Sequence, residues 1–446
     1  MKQKTALLGF ILFLSSSLII ACSNDNSETT NNENESNGSG NASEEEITLS
    51  FVHWINEETG NWEELIEMYE EENEGVKIES TPLVENMSTE DYYQQLDLLA
   101  SSGESLDIIM FSTLPELVTR VNAGLVSPID DLLDNEGIDI NSDYNHTYSE
   151  IDGNYYAIPM KSVSNLVVLN KDHLDEVGLE VPTEWTWDDY REYANQLTTD
   201  NRYGSFLSNF HSLHSTLKMF GKSDNPYLLK EDGSSNADDP FLRESLELRY
   251  QMEIEDNSSV PYSETISQQL DFRQQFFSES VSMVPIGSFL ITEWGQFTPE
   301  FEIAWAPWPK NSEESVNYTE IGGDALTIAQ TSEYKEEAYD FMRWLSTEGI
   351  QEQGISIPAW TESDLDTVLE NLLENTSNPD AVNIDSVINA LTIIEPQERF
   401  APPAHNREAD SEFESQVELL LLGEQDLDTT MEEIKERIEA IVEANQ

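Results

Sequence analysis

Residues 152–197 constrain this chain more than any other stretch. Ile158-Pro159-Met160 ends a short apolar run, polar residues 161–165 follow, and Leu166-Val167-Val168-Leu169 is apolar throughout. A short continuous apolar run between polar residues reads as a strand covered on both faces. The order predicts a strand, a crossing point and a second strand. Asn170-Lys171-Asp172 stops that second strand, and Pro182 and Trp185 set up a new element. Thr186-Trp187-Asp188-Asp189 places a hydroxyl three residues before a carboxylate, the pairing that satisfies free amides at a helix start. Tyr190, Tyr193, Ala194 and Leu197 then fall at i, i+3, i+4 and i+7, one face of a helix.

The same alternation runs through the rest of the chain. Ile47, Leu49 and Phe51 alternate with smaller or polar residues, and His53-Trp54-Ile55-Asn56 opens a loop. Trp62, Leu65, Ile66 and Tyr69 share a helical face, and Val76-Lys77-Ile78 is a short strand. Residues 92–100 form a helix stopped by Ser101-Ser102-Gly103. Residues 106–111 are apolar except for Asp107, which therefore reads as structural. Residues 198–280 are less regular and contain a helix over 241–252. Beyond them come a strand over 301–305, a helix over 334–345 and a final amphipathic helix carrying Met431, Ile434, Ile438 and Ile441. Strands alternating with helices define an α/β protein. The body from residue 47 onward exceeds one typical core and predicts two lobes.

The N-terminus reads as an address. Lys2 and Lys4 precede the apolar run 6–20, which has the length and charge pattern of a signal peptide over 1–21. The run ends Ile19-Ile20-Ala21-Cys22. This resembles a bacterial lipobox, which implies that Cys22 becomes the lipidated N-terminus of a protein held at the outer face of the cell membrane. Cys22 is the single cysteine, so no internal disulfide can form. Residues 22–46 are polar and without apolar period, a disordered tether.

Charge excludes some partners. With 89 acidic against 21 basic residues the formal net charge is −68, which makes nucleic acid and anionic lipid headgroups poor partners. The acids are spread over every segment, which points to a solvated surface for salty or alkaline surroundings more than to a cation-binding site. His211 and His214 lack a cysteine partner or a dense histidine cluster and read as cleft-side or helix-face residues, with no metal expected. No G-x-S-x-G, H-E-x-x-H or Walker A stretch is present.

The central stretch resembles the extracellular solute-binding proteins of bacterial sugar ABC importers, the family that includes maltose-binding protein. Asp152-Gly153-Asn154-Tyr155-Tyr156, Pro159, Leu169-Asn170-Lys171-Asp172, Gly178-Leu179, Pro182 and Glu184-Trp185 carry the likeness. Leu169 stands where the family usually has Tyr, and Asn154 where it has Lys. Ser102-Gly103 before Asp107-Ile108, then 123–130, Ala306-Pro307-Trp308-Pro309, residues 322–328, which resemble the family's Gly-Gly strand, and Thr347-Glu348-Gly349-Ile350-Gln351 extend it in order over most of 47–355. Phe276 to Met283 occupy the slot of a family motif whose Gly and Lys are absent here. The resemblance implies a two-lobed, periplasmic-binding-protein-like fold of type II, with central mixed sheets flanked by helices and a ligand cleft between the lobes. It implies lobes of 47–161 plus 326–360 and 162–325 plus 361–446, with crossings near 160–164 and 323–327. It further implies a monomeric receptor that does no chemistry, needs no cofactor and hands a sugar or oligosaccharide to membrane permease subunits.

Sugar recognition pairs aromatic rings with C–H faces and planar polar groups with hydroxyls. Trp54, Phe111, Tyr155, Phe289, Trp294, Trp305 and Trp360 are candidate platforms, and Asn56, Glu57, Glu58, Ser112, Ser164 and Asp324 candidate hydroxyl partners. For each ring the core is the competing assignment, and for Trp62, Trp185, Trp187 and Trp344 the core is preferred outright. Two other functions compete: a surface glycoside-acting enzyme using a carboxylate pair, and a receptor for a quaternary ammonium osmolyte held in an aromatic cage.

Self-repulsion at this charge predicts a fold that needs salt. The melting temperature of the soluble body is expected to rise from low to molar sodium chloride; a flat response would show that the acids do not strain the fold.

Overall fold

The computed structural model describes residues 46–146, 148–207, 212–398 and 400–445. The signal peptide, Cys22, the tether up to Glu45, and His211 lie outside the described residues. From Glu45 onward the chain forms one compact unit.

Two sheets organise that unit. Strands β1 (Ile47–His53), β2 (Val76–Pro82), β3 (Ile108–Phe111), β4 (Ala157–Pro159) and β11 (Ala325–Ile328) form the first, in the order β2-β1-β3-β11-β4. β1 runs parallel to β2 and β3, while β11 runs antiparallel to β3 and β4. Alternate residues of β1 and β3 enter different cores, so both faces are covered. Leu49, Phe51 and Met110 pack with Trp62, Leu65 and Tyr69 of the helix Trp62–Glu72, and Val52, Ile109 and Phe111 with Tyr92, Tyr93 and Leu96 of the helix Thr89–Ser102. Asp107 holds the strands together, accepting from the Ser50 amide at 2.9 Å and the Ser332 hydroxyl at 2.6 Å.

The second sheet follows β10-β5-β7-β6, with β8 also paired to β5. Its strands are β5 (Val163–Asn170), β6 (Tyr203–Ser205), β7 (Val281–Gly287), β8 (Ile303–Pro307) and β10 (Ile321–Gly322); β9 (Tyr318–Thr319) pairs instead with β12 (Glu395–Pro396). The continuous apolar run of β5 is the signature of a strand with no solvent face. Leu166 and Val168 pack with Phe276, Trp305 and the helices Leu365–Glu374 and Ile384–Ile393. Val167 and Leu169 pack with Trp187, Tyr190, Ala194 and Leu197. The helix carrying those four begins at Trp187 through the expected reciprocal cap between Thr186 and Asp189. A third cluster joins the helices Pro240–Tyr250, Asn406–Leu421 and Leu427–Ala444.

The chain passes between the sheets along neighbouring segments. Residues 160–162 join β4 to β5, and residues 323–324 join β10 to β11. The Asp324 carbonyl accepts from the Met160 amide at 2.8 Å and the Lys161 amide at 3.2 Å. A third segment lies alongside: the Ser162 amide donates to Ile357 at 2.8 Å, and the Ala359 amide to Met160 at 3.0 Å. Residues 322–328, expected as one strand, are therefore two. The ladder changes sheets between Gly322 and Ala325 because Asp324 is bonded to the neighbouring crossing. Only glycine fits at 323, where φ is +132° and a Cβ would stand 2.1 Å from the Lys161 carbonyl oxygen.

Gly323→Ala is expected to destabilise the fold by about 3 kcal/mol, combining backbone strain with displacement of the adjacent crossing. Chemical denaturation measures this, and an unchanged midpoint would show that the crossings separate freely.

Candidate functional site

The two sheets approach one another at the crossings, and the side chains there form a polar floor. Lys161 and Asp324 face each other from the two inter-sheet segments, Nζ to Oδ2 3.0 Å. Both are buried, 5 % and 2 % exposed, so neither charge can be left to water. The ammonium also stands 3.8 Å from Glu293, on the loop after β7, and 5.3 Å from the centre of the Trp54 ring, on the loop after β1. Glu293 is held in turn by Arg273 at 3.2 Å. Burial acts to lower the Lys161 pKa, but Asp324 and then Glu293 outweigh it and set it above the ordinary lysine value. Burial raises the Asp324 carboxyl, opposed by the Lys161 ammonium and the Trp54 indole.

Two tyrosines brace this floor from the first lobe. The Tyr148 hydroxyl donates to the carbonyls of Phe111 at 3.1 Å and Gly323 at 3.0 Å, tying the end of β3 to the crossing. His146 orients it: Nδ1 accepts from the Tyr148 amide at 2.7 Å while Nε2 faces the Ile140 carbonyl at 3.1 Å, the pattern of a neutral ring. Burial lowers the His146 pKa to about 4. The Tyr93 hydroxyl accepts from the Ser112 amide at 2.9 Å and also bonds the Ser112 hydroxyl at 2.9 Å.

The residues expected from sequence to bind a ligand fall into three groups. Trp54 and Asp324 meet at the floor, and Ser112 lies beside Tyr93 at the end of β3. Just beyond Trp54, Asn56 caps the short helix Glu57–Gly60, accepting from the Thr59 amide at 3.0 Å; Glu57 accepts from the Glu63 amide, and Glu58 is exposed. Ser164 lies next to the crossing, buried, its amide donating to the Ser288 hydroxyl at 3.1 Å. Phe289 is half-buried on the loop after β7, with the Arg273 guanidinium 5.7 Å from its ring.

A second group is placed elsewhere. Tyr155 lines a separate groove with Asn141, whose amide donates to its hydroxyl at 2.6 Å. Trp360 sits edge-on to Tyr144 at 5.2 Å, with Arg343 4.9 Å from its ring, beside a cavity of about 370 Å³ next to the third crossing.

The third group gives no face to a cleft. Phe111 and Trp305 are fully buried and Trp294 nearly so, each inside a hydrophobic core. β3 and β8 lie within covered sheets, so even rings near their ends are taken up by packing. The Trp294 indole donates to the Leu290 carbonyl at 3.0 Å. His214 is buried against the Pro285 carbonyl, Nε2 to O 2.6 Å. Among the described residues no three His, Cys, Asp or Glu side chains group as metal ligands.

Sequence reasoning missed Lys161, Glu293, Tyr93 and Tyr148. For Lys161 a signal existed: a rare basic residue, in a chain with 21, placed at the crossing itself.

Lys161→Met would leave Asp324 buried without its partner and is expected to cost about 3–5 kcal/mol, most of it recovered in Lys161→Met/Asp324→Leu. Denaturation of both variants measures this; a single variant as stable as the parent would show that Asp324 is uncharged in the fold.

Known proteins share this fold. The sequence model of the bacterial extracellular solute-binding proteins matches residues 56–352. A putative binding protein of Brucella abortus is 21% identical over 409 residues, 89% of this chain and 93% of that protein. Among solved structures, the sugar-binding protein MalE from Xanthomonas citri superposes with a TM-score of 0.69 at 18% identity, covering 90% of this chain and 98% of its own. UgpB from Mycobacterium tuberculosis in complex with glycerophosphocholine gives 0.71 at 14% identity, covering 90% and 99%. At such identities the structures show a common two-lobed fold of type II.

Proposed function

The chain belongs to the bacterial extracellular solute-binding proteins, and from that premise we propose that it captures a neutral sugar or oligosaccharide between its lobes and delivers it to the permease of an ABC importer. The lobes are 47–161 plus 326–360 and 162–325 plus 361–446, hinged at the segments that cross between the sheets. Ligand contacts from both sides stabilise the closed form over the open one, which is what a permease can recognise. The protein acts as a monomer held at the membrane by a lipid on Cys22, and binds without catalysis.

The observation that carries this reading is the floor: Trp54 set over the buried Lys161–Asp324 pair where the lobes join. A ring beside paired charges and hydroxyls suits a polyhydroxylated ligand, which offers C–H faces and hydrogen bonds without a net charge to compensate. The quaternary ammonium alternative is disfavoured by the same geometry. Protein cations already stand near three of the candidate rings: Lys161 at Trp54, Arg273 at Phe289 and Arg343 at Trp360. A cationic ligand there would meet like charge where an aromatic cage needs none. A phosphodiester is disfavoured as well, because the charge of Lys161 is already matched by Asp324 and Glu293. The MalE and UgpB relatives bind sugar and glycerophosphocholine respectively, and these charges favour the former class.

A thermal-shift screen against sugars, oligosaccharides and betaines tests the proposal. A ligand at a hundred times its dissociation constant adds about 2.7 kcal/mol of stability. Stabilisation by one glycan family without turnover is expected; a betaine-only shift or glycan hydrolysis would overturn the reading. Trp54→Ala is expected to weaken glycan binding about ten- to a hundredfold while the protein stays folded. Unchanged affinity removes Trp54 from the site.

A further inference from the structure

The cavity of about 370 Å³ lies against the third crossing, and a smaller one of about 140 Å³ shares Asn145, Ser162, Ile357 and Leu365 with it. Trp54, Lys161, Asp324 and Glu293 line neither. Successive side chains of an extended segment point to opposite sides, and here Lys161 turns to the floor while Ser162 turns to the cavity. The crossing therefore separates the two sites. One wall of the cavity is built on the first lobe, where residues 143–145 pair with 359–361. The Asn145 amide donates to the Ala359 carbonyl at 2.7 Å, and the Thr361 amide to the Asp143 carbonyl at 2.9 Å. Tyr144 and Trp360 anchor this wall in the core of the first sheet. The other wall is the helix Leu365–Glu374, whose Leu365 and Val368 line the cavity and pack in the core of the second sheet.

Its lining selects a ligand class. None of the residues around either cavity is acidic or basic, in a chain of which 25% is charged. The groove around Tyr155, by contrast, carries Glu150, Asp152, Glu231 and Asp232. Arg343 stands 4.9 Å from the Trp360 ring but is paired with Glu136 at 3.1 Å and does not line the cavity. An ion entering this space would lose hydration without meeting a counter-charge, so ions of either sign are rejected. The uncharged lining is itself divided. Asn141, Asn145, Ser162 and Ser363 supply amides and hydroxyls, while Ile357, Leu365 and Val368, with Leu391 and Ile394 of the smaller cavity, supply an aliphatic surface. The Ser363 hydroxyl is buried and has no hydrogen-bond partner among the described residues, which leaves a donor and an acceptor for a ligand. The volume falls within the ~300–1,000 Å³ of ordinary small-molecule sites.

We infer that this cavity is a second ligand site, for a small uncharged amphiphile whose polar end bonds Ser363 and whose apolar end lies against the helix Leu365–Glu374. Its walls belong to different lobes, so an occupant bears on their relative position. A rotation about the crossings that brings the lobes together at the floor draws them apart on the opposite side. A molecule bridging the two walls there opposes closure and, by reciprocal coupling, weakens the ligand held at the floor. The site stands on the cavity alone; only its effect on glycan affinity rests on the sugar-binding reading.

The test is saturation-transfer NMR titration of the full chain, in salt, with 2-phenylethanol, and with phenylacetate and phenethylammonium as charged analogues of the same size. The alcohol is expected to bind, and each charged analogue at least about tenfold more weakly. Asn145 is exposed and lines both cavities, so Asn145→Trp fills the space while its backbone bond to Ala359 remains, and it is expected to abolish binding. Ser363→Ala removes a hydroxyl with no protein partner and is expected to weaken binding about fivefold at unchanged stability. Should Asn145→Trp fail to fold, Ser363→Ala decides alone. No binding of the alcohol, binding that survives Asn145→Trp or is unchanged in Ser363→Ala, or a charged analogue bound as tightly, would overturn the inference. Saturating 2-phenylethanol is expected to weaken glycan binding about fivefold or more in the parent and not in Asn145→Trp. Glycan affinity unmoved or raised would overturn the opposition to closure. A protein that binds the alcohol in this cavity but no glycan would overturn the sugar reading and leave the second site standing.

Discussion

The close passage of residues 160–161 against residues 323–324 is the constraint on which the rest depends. Two chain segments change sheets side by side, and the Asp324 carbonyl serves two amides of its neighbour. The absence of a side chain at Gly323 permits the approach. Once the backbones are this close, the Lys161 and Asp324 side chains are forced out of water together, and an ion pair with Glu293 near it is the stable arrangement. A buried pair of this kind adds little net stability but defines one geometry, because any shift of either segment leaves a charge unmatched. The connection between the sheets is thereby both thin, made of a few short segments, and specified.

That arrangement also sets what the cleft can hold. In a chain of net charge −68 the cations are scarce, and several of them are stationed against aromatic rings around the crossings. They are matched to acids of the protein as well, Lys161 to Asp324 and Arg273 to Glu293. The crossings are thus internally neutralised within a strongly acidic molecule, which is what favours the uncharged ligand proposed for them.

The fold was legible where one physical rule dominated. The apolar run 166–169 could only be a strand without a solvent face, and its alternate residues do enter two different cores. The Thr186–Asp189 cap announced its helix because the hydrogen bonds are local. Residues 322–328 misled because strand pattern says nothing about which sheet a residue joins; that is decided by a bond from 324 to a segment more than 160 residues away. The candidate site was legible in part for a similar reason. Trp54 and Asp324 lie where a loop or a crossing was expected, whereas Phe111, Trp294 and Trp305 are indistinguishable by sequence from platform residues and are buried by tertiary packing. Lys161 was passed over because a lone lysine reads as surface, and only the approach of Asp324 and Glu293 turns it inward.

Small-angle X-ray scattering of the protein with and without its glycan tests the central claim, closure of two lobes about the 160–162 and 323–324 crossings, most directly. The account predicts a smaller radius of gyration with saturating ligand, and loss of that contraction with a sugar that does not bind. A stabilising glycan that leaves the scattering curve unchanged would contradict it, because the ligand would then be held without drawing the lobes together.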